Sequence, residues 1–470
     1  MNSEILKKLT LAQQSIYFDQ LLKPDSPVYN VGLLCRIFGE ENVECLHECI
    51  AAILNSPSPL MSDCARILIE EVSARETPKT LFPLTIFDLS LEDFDAARLI
   101  VDEHIKKSME TVMEMNGPPL IKSFVFVMPE LETWWFVQAH HILSDASGLV
   151  NFVHAVADKY NEANNESEKK DDLDTEKSYL NAANLNSEIT ENNLLKRQFW
   201  KDEFCQFPNP IFLHQRNKSG KSYTHAVSKK IPLRIRQELK TRGFECRHAL
   251  RAALILYFSR IFDGDEIVLG SVVHGRNRHE LHDALGMFSR ILPTRVSRGE
   301  NLTISQFLEN TSKKIKSVYQ HQADPIVLMA REAGVFQIRK NGLADVVFNY
   351  INLSRPIKFR KASCLLSFIN NPCELGPVQL RLYDRGDESD WDVVLYCESE
   401  FFSAEETSAL LDRLLHILGV FGQENSQTKY SNLDLLFPQE RYQILEEWNS
   451  TQAHYPQDKC IHALFEEQVV

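Results

Sequence analysis

The sequence His-His-Ile-Leu-Ser-Asp-Ala-Ser-Gly, residues 140–148, carries the strongest information about this chain. It follows Thr133–Ala139, an apolar run rich in β-forming residues, and it leads into helical apolar spacing from Ser147 onward. The pattern predicts a strand, a short turn and a helix. Because the end of a strand is a rigid support, titratable side chains placed there are candidates for catalysis.

A histidine followed four residues later by an aspartate is weak evidence by itself. The chain contains this spacing four times, as His141/Asp145, His154/Asp158, His279/Asp283 and His454/Asp458. The second pair lies within a predicted helix, where such pairs are usually surface ion pairs. The last two lie in charged or polar segments. Only the first pair follows directly on an apolar strand. For its histidine, His141, a catalytic role and a structural role remain the two interpretations.

Strand geometry divides the roles of the neighbouring histidines. Successive side chains of a strand point to opposite faces, so only one of His140 and His141 can face a cleft. We expect the turn to bring Asp145 back beneath them, where a buried carboxylate needs a cationic partner. Arginine pairs best in such a site, and Arg276, just after the predicted buried strand Ile267–Val273, is the candidate.

Composition excludes several classes of protein. The chain has 470 residues, 44% of them hydrophobic, and a net charge of -14, so it lacks the basic surface that nucleic acids require. It contains no apolar run of about 18 residues and no secretory signal, which predicts a cytoplasmic protein without a membrane partner. The 10 cysteines form no CxxC pair and no HExxH motif occurs, so we expect reduced thiols and no metal site.

Predicted strands and helices alternate along the chain, with a predicted hairpin formed by Leu120–Val127 and Thr133–Ala139. This order predicts an α/β fold with mixed α+β layers. The polar, charged segment Asn161–Ser178 predicts a linker between an N-terminal part and a larger C-terminal part. A charged surface loop within one domain is the alternative.

Residues 140–148 resemble the HHxxxDG motif of the condensation domains of non-ribosomal peptide synthetases. Further stretches resemble other motifs of this family; they are Ala12–Tyr17, Asp25–Asn30, Gly275-Arg276, Gly286–Arg295 and His321–Pro325. The last of these, with Arg331–Gly334, is similar to the condensation domain of enterobactin synthetase. Glu440–Glu466 is similar to the linker that leads from a condensation domain into an adenylation domain.

The chain departs from the family pattern at three places. Ala146 replaces the glycine of the motif, which is compatible with the turn only if φ is negative there. The RHExLR motif expected near residues 50–65 is absent, and Arg290 stands where the family has asparagine. These departures leave open an unusual donor or weakened activity.

The resemblance implies two chloramphenicol-acetyltransferase-like lobes in a V-shaped pseudo-dimer with a central tunnel. We expect residues 1–175 to form the N-terminal lobe and 176–432 the C-terminal lobe. Residues 433–470 are then the linker and the first residues of an adenylation domain in the same polypeptide.

The resemblance also implies the site residues. The implied catalytic set is His141, His140 and Asp145, with Arg276 as a structural partner and the backbone N–H groups of Ala146, Ser147 and Gly148 as oxyanion donors. The residues expected to line the tunnel or contact substrate are Ser289, Arg290, Asn349 and Tyr350. For Arg290 we expect contact with a phosphate or an acidic substrate group, a surface position being the alternative.

In the implied reaction, the amine of an acceptor aminoacyl thioester attacks a donor acyl thioester, which is aryl, fatty acyl or peptidyl. Donor and acceptor carrier proteins deliver both on 4'-phosphopantetheine arms to a monomeric domain that binds no cofactor of its own. Histidine titrates near pH 6.5, so His141 suits either a base or a positioning role.

Several alternatives to this function remain. The chain begins about ten residues before the first motif, which predicts a donor supplied in trans, on a separate carrier or as acyl-CoA. A starter domain and a subunit boundary both fit this prediction. A non-catalytic module that docks carrier or tailoring proteins is the main alternative. A free CoA-dependent acyltransferase shares HxxxD but lacks the linker, while epimerisation and heterocyclisation domains differ at the linker or the histidines.

Overall fold

The computed structural model describes residues 9–39, 41–55, 83–115, 119–164, 194–212, 223–262, 266–276, 279–297, 299, 301–322, 326–338, 342–344, 346–373, 376–425, 427–454 and 458–469. The stretch 56–65, which includes part of the region where the RHExLR motif is expected, and the linker residues 165–178 lie outside the described residues. The predicted boundary at residue 175 lies outside them as well. So do parts of two family-like motifs, residues 323–325 and 455–457.

The helices are α1 (Leu11–Leu22), α2 (Val43–Asn55), α3 (Phe94–Glu110), α4 (Ala146–Asn164), α5 (Leu194–Phe204), α6 (Leu233–Thr241), α7 (Cys246–Ile261), α8 (Ile304–Gln320), α9 (Ile326–Glu332), α10 (Val335–Ile338), α11 (Ala404–Gln423), α12 (Pro438–Tyr442) and α13 (Ile461–Gln468). The strands are β1 (Asn30–Phe38), β2 (Leu84–Asp88), β3 (Ile121–Val127), β4 (Glu132–His140), β5 (Thr224–Ile231), β6 (Glu266–Val273), β7 (Arg290–Ser297), β8 (Val346–Asn352), β9 (Ile357–Phe359), β10 (Ala362–Ile369), β11 (Val378–Asp384) and β12 (Trp391–Glu398). Short 3-10 turns lie at His279–Leu281 and Tyr430–Asn432.

Among the helices in the described part of the chain, three begin with the same local signal, a capping box headed by Thr or Ser. In each, a Thr or Ser side chain accepts a hydrogen bond from the N–H group three residues later. The Gln or Glu side chain at that later position accepts a hydrogen bond from the N–H group of the Thr or Ser. The pairs are Thr10/Gln13 on α1, Thr303/Gln306 on α8 and Ser403/Glu406 on α11. These starts are therefore encoded locally.

The first sheet has the strand order β2-β3-β4-β1-β10-β9. The hairpin predicted from residues 120–139 is confirmed, since β3 and β4 pair antiparallel from Ile121↔Ala139 to Val127↔Thr133. On its other side β4 pairs antiparallel with β1. From Thr133 to His140 every residue of β4 is buried, so the strand is an inner element of the lobe.

The second sheet has the order β5-β12-β11-β8-β6-β7. Its central strand β8 runs parallel to both β11 and β6, while the remaining neighbours pair antiparallel. Helix α7 is buried along most of its length and packs with α8 and α11 against this sheet. Two six-stranded mixed sheets with packed helices confirm the predicted α/β class.

The strands of the two sheets are not contiguous in the chain. The β9–β10 hairpin follows β8 of the second sheet, yet β10 pairs with β1 of the first, with Leu33 opposite Phe368. Phe359 of the hairpin is fully buried in the first core, 5.5 Å from the Tyr160 ring. The segment 176–432, expected to form the second lobe, therefore contributes strands to both sheets.

The segment that follows β6 also crosses from the second lobe to the first. Leu281, Leu285 and Phe288, from the segment between β6 and β7, are buried in the same core cluster as Trp135 and Phe152 of the first lobe. The two lobes are thus joined at the hairpin and at this segment, and the second junction lies beside the histidine turn.

Two further sequence expectations concern cysteines and membranes. Every cysteine that the structure describes is a free thiol. Within the described ranges, no helix combines the length and apolar composition that crossing a bilayer requires.

The hairpin crossing predicts an asymmetric response to truncation. Phe359→Ala removes a fully buried ring from the first core and should lower the free energy of unfolding by about 3–5 kcal/mol. Leu365→Ala on the same hairpin removes a side chain that is 40% exposed, and its effect should stay near about 0.5 kcal/mol. Urea denaturation of both variants measures the difference, and equal losses would contradict the packing described.

Candidate active site

Strand β4 fixes the backbone of the two histidines. His140 lies opposite Asn30 of β1, and its N–H donates to the carbonyl of Leu120 at 2.8 Å. The N–H of His141 donates to the carbonyl of Tyr29 at 2.7 Å. The pair is therefore held from both neighbouring chain segments before the turn begins.

Both ring nitrogens of His140 are occupied inside the protein. The Ile142 N–H donates to Nδ1 at 3.1 Å, so Nε2 carries the proton and donates to Gln20 Oε1 at 3.3 Å. Burial and the neighbouring His141 lower the pKa of His140 to about 3, so its ring stays neutral. His140 was expected among the catalytic residues; the structure instead makes it a buried support with no nitrogen open to a reactant.

His141 differs from His140 in its access. Its side chain keeps part of its surface exposed, while Nδ1 is buried without a hydrogen bond to the described residues. This leaves Nε2 as the nitrogen that can meet a reactant. Burial lowers the pKa of His141 and outweighs the opposite effects of Asp145 and nearby backbone carbonyls, and Arg381 contributes a smaller lowering. The ring is therefore neutral near pH 7 and able to accept a proton.

Helix α1 supports the turn from the other side. Gln13 belongs to the family-like stretch Ala12–Tyr17, and its Oε1 accepts from the Thr10 N–H at 3.0 Å. Its Nε2 donates to the Ile142 carbonyl at 3.1 Å. One side chain thus caps its own helix and ties that helix to the turn, which accounts physically for a glutamine at this position.

The carboxylate of Asp145 is saturated by hydrogen bonds. Its Oδ2 accepts from Arg276 Nη1 and from the N–H groups of Phe288 and Ser289, each at 2.9 Å. Its Oδ1 accepts from the Gly148 N–H at 2.8 Å, which caps α4. Burial by itself raises the pKa of Asp145, but Arg276 and these N–H groups outweigh it, so the net pKa lies below the ordinary value.

Arg276 makes the pairing that the sequence predicted, and it is equally saturated. Besides Asp145, its guanidinium donates to the carbonyls of His274, Ala284 and Gly286 at 3.1, 3.2 and 2.9 Å. It also lies 4.7 Å from the centre of the Phe288 ring. Arg276 is therefore a structural residue that joins the second lobe to the turn of the first.

Two glycines are required by this junction. A Cβ at Gly148 would lie 2.4 Å from Ser144 Oγ and 2.7 Å from the Gly286 carbonyl oxygen. Gly275 has φ +67°, and a Cβ there would lie 2.4 Å from the Phe288 carbonyl oxygen. A larger residue would clash with the second-lobe backbone at Gly148 and with the backbone of the β6–β7 segment itself at Gly275.

Ala146 meets the condition set by the sequence. It is not among the residues with positive φ, so alanine replaces the family's glycine without backbone strain. Its side chain packs against a cluster on the second sheet that we call the interlobe cluster, formed by Ile351, Tyr383, Val394 and Tyr396. The histidine turn therefore lies over one face of the second sheet, which we call the inner face.

The predicted oxyanion donors separate into two groups. The Gly148 N–H is already used by Asp145 Oδ1, so it cannot stabilise an oxyanion as expected. The N–H groups of Ala146 and Ser147 belong to the first turn of α4 and remain the candidates.

Two of the predicted tunnel residues lie next to the junction on β7. The Ser289 N–H donates to Asp145, and its hydroxyl is 3.5 Å from Met287 Sδ. Arg290 Nη1 donates to the carbonyl of Gln322 at 3.2 Å, so its guanidinium is directed toward the end of α8.

The other two predicted tunnel residues are neighbours on β8 and lie on opposite faces. Asn349 alternates with Ile351 of the interlobe cluster and shares the inner face. Tyr350 packs with the helix-side core, and its hydroxyl donates to Asp384 Oδ2 at 2.5 Å. Strand alternation therefore places Asn349 on the face toward the first lobe and Tyr350 on the helix side, and their role in lining a tunnel stays a prediction.

The family model of the condensation domain matches residues 6–445. The chain belongs to the condensation domain family. Members of this family in non-ribosomal peptide synthetases are acyltransferases that form amide bonds, so the site just described is that of an amide-forming enzyme family.

Curated relatives of this condensation domain are multidomain synthetases. The dimodular nonribosomal peptide synthase of Bacillus subtilis (strain 168) is 22% identical over 475 residues, which cover 98% of this chain and 19% of the relative. Bacitracin synthase 1 of Bacillus licheniformis is 21% identical over 478 residues, which cover 97% of this chain and 9% of the relative. The chain therefore spans less than a fifth of either relative.

Solved structures share the fold. The starter condensation domain of rhizomide synthetase, as a mutant in complex with C8-CoA and Leu-SNAC, matches with a TM-score of 0.77 and 18% identity, covering 93% of this chain and 99% of that one. The first condensation domain of the calcium-dependent antibiotic synthetase, in complex with substrate analogue 3a, matches with a TM-score of 0.70 and 17% identity, covering 91% and 98%. The predicted pseudo-dimer of chloramphenicol-acetyltransferase-like lobes is thus confirmed.

Three residues of the site of this condensation domain were missed from the sequence. Gln20 holds His140, Tyr29 holds the His141 backbone and presents its ring 6.5 Å from the His141 ring, and Arg381 acts on the His141 pKa. Tyr29 lies within the family-like stretch Asp25–Asn30, which was the available signal. Gln20 and Arg381 carry no local motif, since their roles depend on packing across the chain.

Asp145→Ala tests whether this residue serves the fold rather than the chemistry. The variant leaves Arg276 buried without its partner, so the free energy of unfolding should fall by about 3–5 kcal/mol. Asp283→Ala is the matched control from a second HxxxD pair, because Asp283 is 3.6 Å from Arg355 and both side chains are more than half exposed. Its cost should stay within about 1 kcal/mol.

The pH dependence of stability gives a second measurement on the same variants. Since the folded-state pKa of Asp145 is lowered, its stabilisation is present above the unfolded pKa of about 4 and is lost as pH falls through the lower folded value. Asp145→Ala should remove this part of the acid dependence. An unchanged melting temperature together with lost activity would make Asp145 a catalytic residue instead.

Proposed function

We propose that this chain condenses a donor acyl thioester with the amine of an acceptor aminoacyl thioester carried by a partner protein. The observation that carries the proposal is the state of His141. It is the histidine of the family motif whose ring stays partly exposed, and its lowered pKa keeps it neutral at pH 7. His140 and Asp145 lie on either side of it in the chain, and their side chains are held by hydrogen bonds inside the protein.

In the proposed step, the nitrogen lone pair of the acceptor amine attacks the thioester carbonyl of the donor. A C–N bond forms, and the proton of the amine passes to Nε2 of His141. The C–S bond of the tetrahedral intermediate then breaks, and the proton leaves with the thiolate as a thiol. A positioned base of this kind contributes about 10²–10⁴ in rate, and orientation of two tethered reactants contributes further.

The oxyanion of this intermediate needs donors close to His141. The N–H groups of Ala146 and Ser147, at the positive end of α4, are the proposed donors. We place Asn349, on the inner face of the second sheet, along the path of the substrates between the lobes. These assignments complete a site with one base, two backbone donors and a polar wall.

We further propose that the donor is an aryl or fatty acyl group that reaches the domain in trans, as in a starter position. A starter condensation domain in complex with C8-CoA and Leu-SNAC is among the matching folds, which supports this choice. Carrier proteins bearing phosphopantetheine arms are the proposed partners, with an adenylation domain in the same polypeptide. The multidomain character of the curated relatives supports these partners.

His141→Ala tests the central assignment. Amide formation, measured by mass spectrometry of a loaded acceptor carrier protein, should fall by at least about 10² because the base is lost. The melting temperature should be unchanged, since the ring makes no hydrogen bond to the described residues through its buried nitrogen.

His279→Ala, at an exposed position of another HxxxD pair, is the matched control and should keep full activity. Full activity of His141→Ala would refute the assignment. A wild-type domain that binds loaded carriers but forms no amide with any donor would favour the alternative, a docking module without catalysis.

The donor proposal has its own measurement. Octanoyl-CoA and an octanoylated carrier protein should both give amide with an aminoacyl carrier, whereas a peptidyl carrier should be at least about tenfold slower in kcat/KM. Equal or faster turnover of the peptidyl donor would assign the domain to chain elongation instead. A tenfold preference corresponds to about 1.4 kcal/mol of transition-state stabilisation.

A further inference from the structure

Gln20 lies in the last turn of α1, and three hydrogen bonds inside the protein hold its amide group. Its Nε2 donates to the carbonyl of Lys23 at 2.7 Å and to that of Ser26 at 3.2 Å. Because two carbonyls lie at this end of the amide, Oε1 must occupy the other end, which lies 3.3 Å from His140 Nε2. Gln20 is 4% and His140 1% exposed, so water replaces none of these contacts. The group that Gln20 presents to His140 is therefore a fixed acceptor.

This acceptor and the Ile142 N–H make complementary demands on the two nitrogens of His140. Oε1 of Gln20 requires a proton on Nε2, whereas the Ile142 N–H, 3.1 Å from Nδ1, requires a lone pair there. The neutral ring protonated at Nε2 meets both demands. The other neutral tautomer would break both contacts at once, and buried polar groups that lose their partners are costly. The amide of Gln20 thus selects the tautomer of His140 that accepts from Ile142.

The hydrogen bond from Ile142 to the His140 ring closes a turn across His141. The Ile142 N–H belongs to the peptide group that follows His141. The His141 N–H, which donates to the Tyr29 carbonyl at 2.7 Å, belongs to the peptide group that precedes it. Peptide groups are planar, so their directions set the two backbone torsions of the residue between them. Both torsions of His141 are therefore held, and with them the direction in which its ring leaves the backbone.

We propose that Gln20 is a positioning residue for the condensation reaction: it holds His140 in the tautomer protonated at Nε2, and the unprotonated Nδ1 then anchors the backbone that carries His141. The inference rests on the proposed function, in which Nε2 of His141 must lie within reach of the attacking amine. It adds to that function a residue of α1 that acts through His140. A misplacement of about 1 Å at a reacting group costs about 10²-fold in rate, so kcat reports an indirect support of this kind.

Gln20 also has a local role, from which the proposed role must be separated. Its bonds to the carbonyls of Lys23 and Ser26 close the end of α1 and the turn that follows. The same segment leads to Tyr29, whose carbonyl binds the His141 N–H. In the local role, loss of the Gln20 amide reaches His141 along this segment. In the proposed role it reaches His141 through the His140 ring, and the tautomer of that ring changes.

The tautomer is measured in the free, full-length chain, with no substrate present. Nitrogen-15 labelling of histidine distinguishes protonated from unprotonated ring nitrogens, and the signals lost in His140→Asn are those of His140. At pH 7 we expect a proton on Nε2 and none on Nδ1. In Gln20→Leu, which removes the acceptor, the ratio of the two tautomers should shift about tenfold toward the form protonated at Nδ1. A wild-type ring protonated at Nδ1 would contradict the inference without any variant.

The kinetic test measures kcat and KM separately, with an aminoacyl N-acetylcysteamine thioester as acceptor. Gln20→Leu should lower kcat about tenfold and leave KM within about twofold, because the His141 ring is displaced while the binding surfaces stay in place. Gln14→Leu is the matched control on the same helix, since Gln14 Nε2 donates to the Leu9 carbonyl at 3.0 Å. It should change neither kcat nor the His140 signals.

A double-mutant cycle separates the two roles of Gln20. In His140→Asn, the asparagine Oδ1 replaces Nδ1 as the acceptor for the Ile142 N–H, as in an Asx turn, and needs no support from residue 20. Gln20→Leu should therefore change kcat by less than about twofold in this background. An equal loss of kcat in both backgrounds would assign Gln20 to the local role and refute the inference.

The outcomes also separate this inference from the proposed function. If the wild-type domain forms no amide, the proposed function fails, and the histidine spectrum of the free chain still decides whether Gln20 sets the tautomer of His140. The same spectrum decides if His140→Asn is inactive. An unchanged spectrum in Gln20→Leu refutes the inference in either case. Melting temperatures show whether each variant is folded, and the wild-type spectrum remains as a test if Gln20→Leu is not.

Discussion

The buried carboxylate of Asp145 accepts hydrogen bonds from the guanidinium of Arg276 and from backbone N–H groups of both lobes. A desolvated carboxylate is tolerated only when its oxygens are satisfied, so every donor must stay in place. This requirement caps α4, fixes the segment before β7 and requires glycine at residues 148 and 275. The lobes are therefore held together at the point where the histidine turn lies, and the site depends on this ion pair for its shape.

The same junction explains why two adjacent histidines differ. His140 faces into the first lobe and gives both nitrogens to internal hydrogen bonds, whereas His141 lies at the turn and keeps an accessible ring. A fully hydrogen-bonded ring and an accessible ring are thus found side by side in the chain. The inner face of the second sheet lies against this turn, since Ala146 packs on the interlobe cluster. The surroundings of His141 consequently depend on both lobes.

Much of the site was predictable from local pattern. Strand alternation separated His140 from His141, and the need of a buried carboxylate for a cation identified Arg276, 131 residues away. The replacement of the family's glycine by Ala146 could be interpreted from the sequence, because its only requirement was a negative φ at this residue, which the structure shows. For Asn349 and Tyr350, strand alternation predicts that the two side chains face opposite ways, but only the structure shows that Asn349 is the one on the face toward the other lobe. The crossing of the β9–β10 hairpin was missed for a related reason, since strand pairing is not encoded within the strand.

The sequence by itself determined the local elements, the capping signals, the motif at residues 140–148 and the family to which they point. These features depend on residues close together in the chain, whose periodicity and spacing are directly legible. Only the tertiary structure decided which histidine nitrogens are occupied and that the Gly148 N–H group is taken by the Asp145 carboxylate. Hydrogen bonds and electrostatic fields depend on distances between segments that are remote in sequence, and folding alone establishes those distances.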